Sequence, residues 1–150
     1  MKKNKKICIV SSCGGHLTEI RALKPAYERY DHIYVLNDQA ILAADMQDKT
    51  YFITHAERNW KIIKNFFEAF KIIKKEKPNL FMSTGAGAIV VFSILGKLLG
   101  IKTIYVESLA SAEKPTLTGR IMYYLADYFY YQWPHLKAFF PKGECIGTLL

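Results

Sequence analysis

Short runs of uninterrupted apolar residues alternate along this chain with longer stretches in which apolar positions recur every three or four residues. Ile7, Cys8, Ile9 and Val10 form the first run. Because it does not alternate with polar residues, it suits a strand buried on both faces of a parallel sheet. Leu17, Ile20 and Leu23 then fall at helical spacing and predict a helix over 17–30, which Pro25 should bend or shorten. His32 to Leu36 predicts a second strand, and Asn37 with Asp38 a cap for a short helix from Gln39 to Met46. Thr50 to Thr54, rich in β-branched and aromatic residues, predicts a third strand.

The segment 57–77 is the most clearly periodic. Glu57, Lys61, Lys64, Glu68, Lys71 and Lys75 share a polar stripe, while Trp60, Ile63, Phe67 and Phe70 line another face. The pattern reads as a helix packed on the sheet with its charged stripe in water. The alternative is a basic aromatic helix lying partly in a membrane surface. Leu80 to Ser83 and Lys102 to Val106 predict two more strands around a buried helix. That helix, within 86–101, is broken by Ser93, Gly96 and Lys97 and falls short of the ~20 apolar residues of a membrane span. A helix over Thr118 to Ala126, a strand over Tyr128 to Gln132, a short helix over Pro134 to Phe140 and a last strand over Cys145 to Leu149 complete the pattern.

Strands alternating with helices in this way predict one domain over 1–150: an α/β, Rossmann-like, doubly wound parallel sheet. Composition fits a globular chain, with 51% hydrophobic and 23% charged residues among 150. A net charge of +8 implies attraction to phosphate-rich partners: pyrophosphate substrates, an anionic membrane face or nucleic acid. No nucleic-acid-binding motif accompanies that charge, so nucleic acid is not expected as a partner. Cys8, Cys13 and Cys145 lack CxxC spacing, which suggests neither a disulfide framework nor a metal site and fits a cytoplasmic setting. The first apolar run is also too short for a signal-peptide core.

Ligands of open parallel sheets bind beyond the carboxyl ends of the strands. Three small-residue turns are expected there: Ser11 to His16, Thr84 to Gly87, and Glu107 to Ser111. Together they offer Ser12, Gly14, Gly15, Thr84, Gly85, Gly87 and Ser108 for a phosphate, with the His16 imidazole and the Glu107 carboxylate as candidate bases. Neither glycine turn matches GxGxxG or a Walker loop, so a nucleotide cofactor is not expected. Arg120, at a helix start, could meet a phosphate or a partner protein.

SSCGGHLTEI, STGAGA, YVESLA, LTGRIMYYLADYFYYQWPHL and ECIGTL, in this order, resemble the acceptor-side subunits of split glycosyltransferases. These are the bacterial polysaccharide-biosynthesis enhancer subunits and their eukaryotic relative, the membrane-recruiting subunit of the transferase that adds the second sugar to dolichol-linked oligosaccharide. The resemblance implies the amino-terminal, acceptor-facing half of a GT-B glycosyltransferase, inactive or nearly so without a partner subunit that supplies the donor-binding half. By analogy with the fused muramyl-peptide transferase, whose glycine loop is also followed by His, Gly14 and Gly15 would hold the acceptor pyrophosphate and His16 would be the general base, with Glu107 the rival. The implied role is inverting transfer of a sugar from a nucleotide donor to a lipid-pyrophosphate acceptor in capsule or exopolysaccharide synthesis. A non-catalytic recruiting scaffold is the alternative. The eukaryotic relative carries an amino-terminal membrane helix, whereas the opening run here spans four residues. Attachment is therefore expected to be peripheral, on the inner face of the cell membrane, through lysines attracted to anionic lipid at about 1 kcal/mol each.

Overall fold

In the computed structural model, which describes residues 5–37, 40–55 and 60–150, all the strands join one sheet. They are β1 (Lys6–Ser11), β2 (Asp31–Asn37), β3 (Thr50–Ile53), β4 (Leu80–Ser83), β5 (Lys102–Val106), β6 (Tyr128–Tyr131) and β7 (Glu144–Cys145). Every pairing is parallel, and the spatial order is β3-β2-β1-β4-β5-β6-β7. The chain winds outward from β1 to β3, returns to lay β4 beside β1, and then winds outward the other way. The switch point therefore lies between β1 and β4, where such sheets open a crevice.

Helices cover both faces: α1 (Gly15–Ala22) and α2 (Lys24–Tyr27) on one, α3 (Lys61–Glu76), α4 (Ala88–Leu99) and α5 (Leu117–Leu125) on the other. Alternate residues of the central strands feed the two cores. Cys8, Val10, Ile33, Val35 and Phe81 pack with α3, α4 and α5, while Ile7, Ile9, Tyr34, Leu36 and Met82 pack with α1 and α2. This explains why β1 and β2 carry no polar alternation: neither face of either strand meets water.

Several expected elements differ in detail. The helix predicted over 17–30 is two pieces, because α1 ends at Ala22 and Pro25 occupies the first turn of α2, where its missing N–H is harmless. The short helix expected at Gln39 to Met46 is instead a 3-10 turn at Ala44–Lys49, fixed by buried Met46 and by the Lys24–Asp45 ion pair at 2.7 Å. Asp38 and Gln39 of the expected cap, and 57–59 of the third helix, lie outside the described residues. The last strand pairs only Glu144 and Cys145. Beyond it the Gln132 side chain replaces the ladder by accepting from the Leu149 N–H at 2.9 Å.

α3 departs most from expectation. Its aromatic line faces solvent: Trp60 is 75% exposed, Ile63 63% and Phe67 66%. The buried face is Asn65, Ala69, Ile72 and Ile73, at positions i, i+4, i+7 and i+8. Ala69 lets the helix lie close, and Asn65 satisfies its amide on the Thr54 carbonyl and Glu68.

At the amino-terminal edge, the Lys6 ammonium meets Glu76 at 2.8 Å, and Tyr51 donates its hydroxyl to the same carboxylate. Lys6, then Tyr51, hold the Glu76 carboxyl below its ordinary value of 4.5. A depressed carboxyl stabilises the fold above the unfolded-state value, and the contribution is lost as pH falls through the folded-state value. Glu76→Gln should therefore be less stable than the wild type near neutrality, and the gap should close as urea titrations move from about pH 6 to pH 3.

Candidate functional site

The β1–α1 turn is built from small residues for a geometric reason. Gly14 adopts φ +82°, a conformation that L-residues rarely take, and the chain enters α1 immediately afterwards with no side chain capping it. The first N–H groups of α1 consequently have no intrahelical acceptor. The turn is fastened sideways by Asn37 at the end of β2, whose Oδ1 accepts from the Cys13 N–H at 3.1 Å.

Next to it, Ser83 closes the β4–α4 turn by accepting from the Gly85 N–H at 3.1 Å and donating to the Gly85 carbonyl at 2.8 Å. Ala86 holds φ +110°, which is local backbone strain of the kind stored at functional turns. α4 likewise begins without a side-chain cap. The two turns are joined directly: Thr84 donates its hydroxyl to the His16 carbonyl at 2.9 Å, and the half-buried His16 imidazole lies against Gly85. A Cβ on Gly85 would stand 2.3 Å from His16 Cε1, so only glycine leaves room for the ring. His16 Nδ1 is buried without a hydrogen-bond partner.

The third turn is different. Glu107 has no exposed surface, and its carboxylate accepts from the Ser111 hydroxyl and from the Thr116 N–H at 3.0 Å. Thr116 in turn caps α5 by accepting from the Gly119 N–H at 2.8 Å. This helix start is already served by protein groups, so among the helices that follow the three turns α1 and α4 are the two without a side-chain cap. Burial, then the Glu107 carboxylate close by, hold the Tyr105 phenol well above its ordinary range.

The structure brings the expected residues together unevenly. Ser12 and Gly87 line one groove of about 670 Å3 that also takes in His55, Asn65 and Thr118. Gly14, Gly15, Gly85 and His16 are not among its lining residues; they belong to the two turns at the switch point. Thr84 and Ser108 are buried, and their hydroxyls are already donated inward, Thr84 to His16 and Ser108 to Glu19 at 2.9 Å. Arg120 is exposed on α5 and does not line the groove.

Two groups of polar residues escaped the sequence reading. Glu19, 3% exposed on α1, accepts from the Ser108 hydroxyl, the Leu109 N–H at 3.1 Å and the Gln132 amide at 3.2 Å. It thereby ties the helix bearing His16 to the far side of the sheet. Asn37, His55 and Asn65 gather at the ends of β2 and β3, where the Asn37 amide donates to His55 Nδ1 at 3.0 Å. The signal for these was available: polar residues at the carboxyl ends of strands deserve the same scrutiny as the glycine turns. Among the described residues, no group of His, Cys, Asp and Glu is placed to hold a metal ion.

Residues 53–149 match the family model described as oligosaccharide biosynthesis protein Alg14 like. The chain belongs to that family. Human UDP-N-acetylglucosamine transferase subunit ALG14 is 29% identical over 183 residues, covering 99% of this chain and 85% of the human one. Among solved structures, Acinetobacter baumannii MurG superposes with a TM-score of 0.78 at 17% identity, over 97% of this chain and 46% of MurG. UDP-N-acetylglucosamine 2-epimerase from Rickettsia bellii gives 0.72 at 16%, over 98% of this chain and 46% of the epimerase. The Alg14-family chain thus has the Rossmann-like fold of a GT-B amino-terminal half, and spans about half the length of the solved structures it matches. Among its described residues, no helix is long and apolar enough to cross a membrane.

Proposed function

We propose that this chain is the acceptor-binding, partner-activating subunit of a two-component inverting glycosyltransferase acting on a lipid-pyrophosphate-linked sugar in surface polysaccharide synthesis. The observation that carries the reading is the meeting of two uncapped helix starts at the β1/β4 switch point, with His16 wedged between them against Gly85. Free N–H groups and aligned dipoles at two helix ends favour the acceptor's pyrophosphate. Membership in a family whose relatives are named transferase subunits supports the same reading.

His16 is the general base in this scheme. As the acceptor hydroxyl attacks the anomeric carbon, its oxygen forms the new glycosidic bond and its proton passes to the imidazole. The bond from that carbon to the nucleotide's terminal phosphate oxygen breaks, and the nucleotide diphosphate leaves with the electron pair. An imidazole suits proton transfer near neutral pH. Glu107, sealed under α5, is a positioning residue: it fixes the loop and helix that border the groove. The nucleotide sugar comes from the partner subunit.

The exposed aromatic stripe of α3, interleaved with lysines, is the surface we assign to an anionic membrane, and it supports a peripheral position on the cytoplasmic face. Reconstitution tests the whole reading. Transfer to a lipid-pyrophosphate sugar is expected only when this chain and a donor-binding partner are both present. Equal transfer by the partner alone would overturn it.

A further inference from the structure

We propose that the groove between α3, α4 and α5 holds the hydrocarbon that adjoins the phosphate of the lipid-linked acceptor; this rests on the acceptor reading above. The groove's volume, about 670 Å3, lies in the range of small-molecule sites. Ser12, Ala86 and Gly87 of its lining belong to the phosphate turns, His55, Asn65 and Thr118 add polar groups, and Ile62, Val90, Val91, Leu117 and Ile121 supply five apolar side chains.

Three of these wall residues are not core residues. Ile62 is 41% exposed, Leu117 49% and Ile121 39%, one from α3 and two from α5, facing one groove. Apolar surface left in water costs about 25 cal/mol per Å2, so a ligand that covers it gains in proportion to the area removed. The geometry also sets the direction. Val90 and Val91 stand one turn along α4 from Gly87, roughly 5 Å further from its amino end. A phosphate at that end would have its first carbons over the two valines. Along this path the five apolar side chains offer a sugar's hydroxyls no hydrogen-bond partner and Thr118 adds a single hydroxyl, so hydrocarbon fits it better than the sugar, which is assigned to the His16 side. Outward, Ile62 adjoins Ile63 of the exposed α3 stripe, so the hydrocarbon leaves the groove toward the surface assigned to the bilayer.

Calorimetry with the full chain and no membrane present tests this, with an isoprenoid pyrophosphate and inorganic pyrophosphate as the two probes. The isoprenoid form should bind at least tenfold more tightly, since each buried methylene contributes up to about fourfold. Ile121→Asn should abolish that advantage and leave inorganic pyrophosphate binding unchanged. Leu117→Asn, at a still more exposed position, should act in the same sense and serves if the first variant fails to fold. Equal binding of the two probes, or an advantage that survives both substitutions, would overturn the groove assignment while sparing the phosphate site. Binding of neither probe would overturn both.

Discussion

Replacing His16 by Ala should lower kcat of the assembled transferase by about 100- to 10,000-fold, the range that a positioned general base contributes. Pyrophosphate binding should change little, because the N–H groups that would hold it belong to the backbone of the two turns. Folding should change little as well. The ring is half-buried, its Nδ1 has no partner to orphan, and it rests against a glycine with no side chain to pack upon. Steady-state transfer with the partner present, beside a thermal melt of the variant, separates the possibilities. Near-normal turnover from a folded His16→Ala protein would leave the turn as a binding scaffold and remove the base from the scheme.

The largest effect on stability is expected from Gly119→Ala. A Cβ at this position would lie 1.6 Å from Glu107 Oε2, inside the carboxylate itself. The carboxylate has nowhere to retreat, since the Ser111 hydroxyl and the Thr116 N–H hold it from the other side. Relief requires either lifting the first turn of α5 or breaking those hydrogen bonds. Overpacking of this kind costs about 1–3 kcal/mol, and loss of a buried acceptor about as much again. Urea unfolding should show a loss of roughly 2–4 kcal/mol. A wild-type midpoint would mean that Glu107 is held loosely enough to swing aside.

The fold was legible because parallel strands buried on both faces announce themselves as unbroken apolar runs, and the loops between them are short. The edge that carries the candidate site was legible for the same reason: once the strands are parallel, every glycine turn after a strand must lie on it. What the pattern could not show was which way individual side chains turn. Thr84 and Ser108 look like phosphate hydroxyls in sequence, yet each donates to a protein group behind it. α3 misled through its composition, because its inward face includes Asn65 and Ala69 beside Ile72 and Ile73, while Ile63, Phe67 and Phe70 face outward among lysines. Glu19 gave no local sign, since its partners Ser108, Leu109 and Gln132 are about 90 to 113 positions away along the chain.

The Glu19 network leaves the crevice with walls of unequal stiffness. On the α1 side, buried hydrogen bonds through Ser108, Leu109 and Gln132 lock helix, loop and the segment at Leu149 into one unit. On the α3 and α5 side, the part-exposed apolar side chains of Ile62, Leu117 and Ile121 make up most of the border, with Asn65 and Thr118 beside them. Directional bonds resist displacement, and apolar contacts slide. The compliant wall can therefore change residue by residue to suit different ligands, while the rigid wall keeps the turn that bears His16 in register.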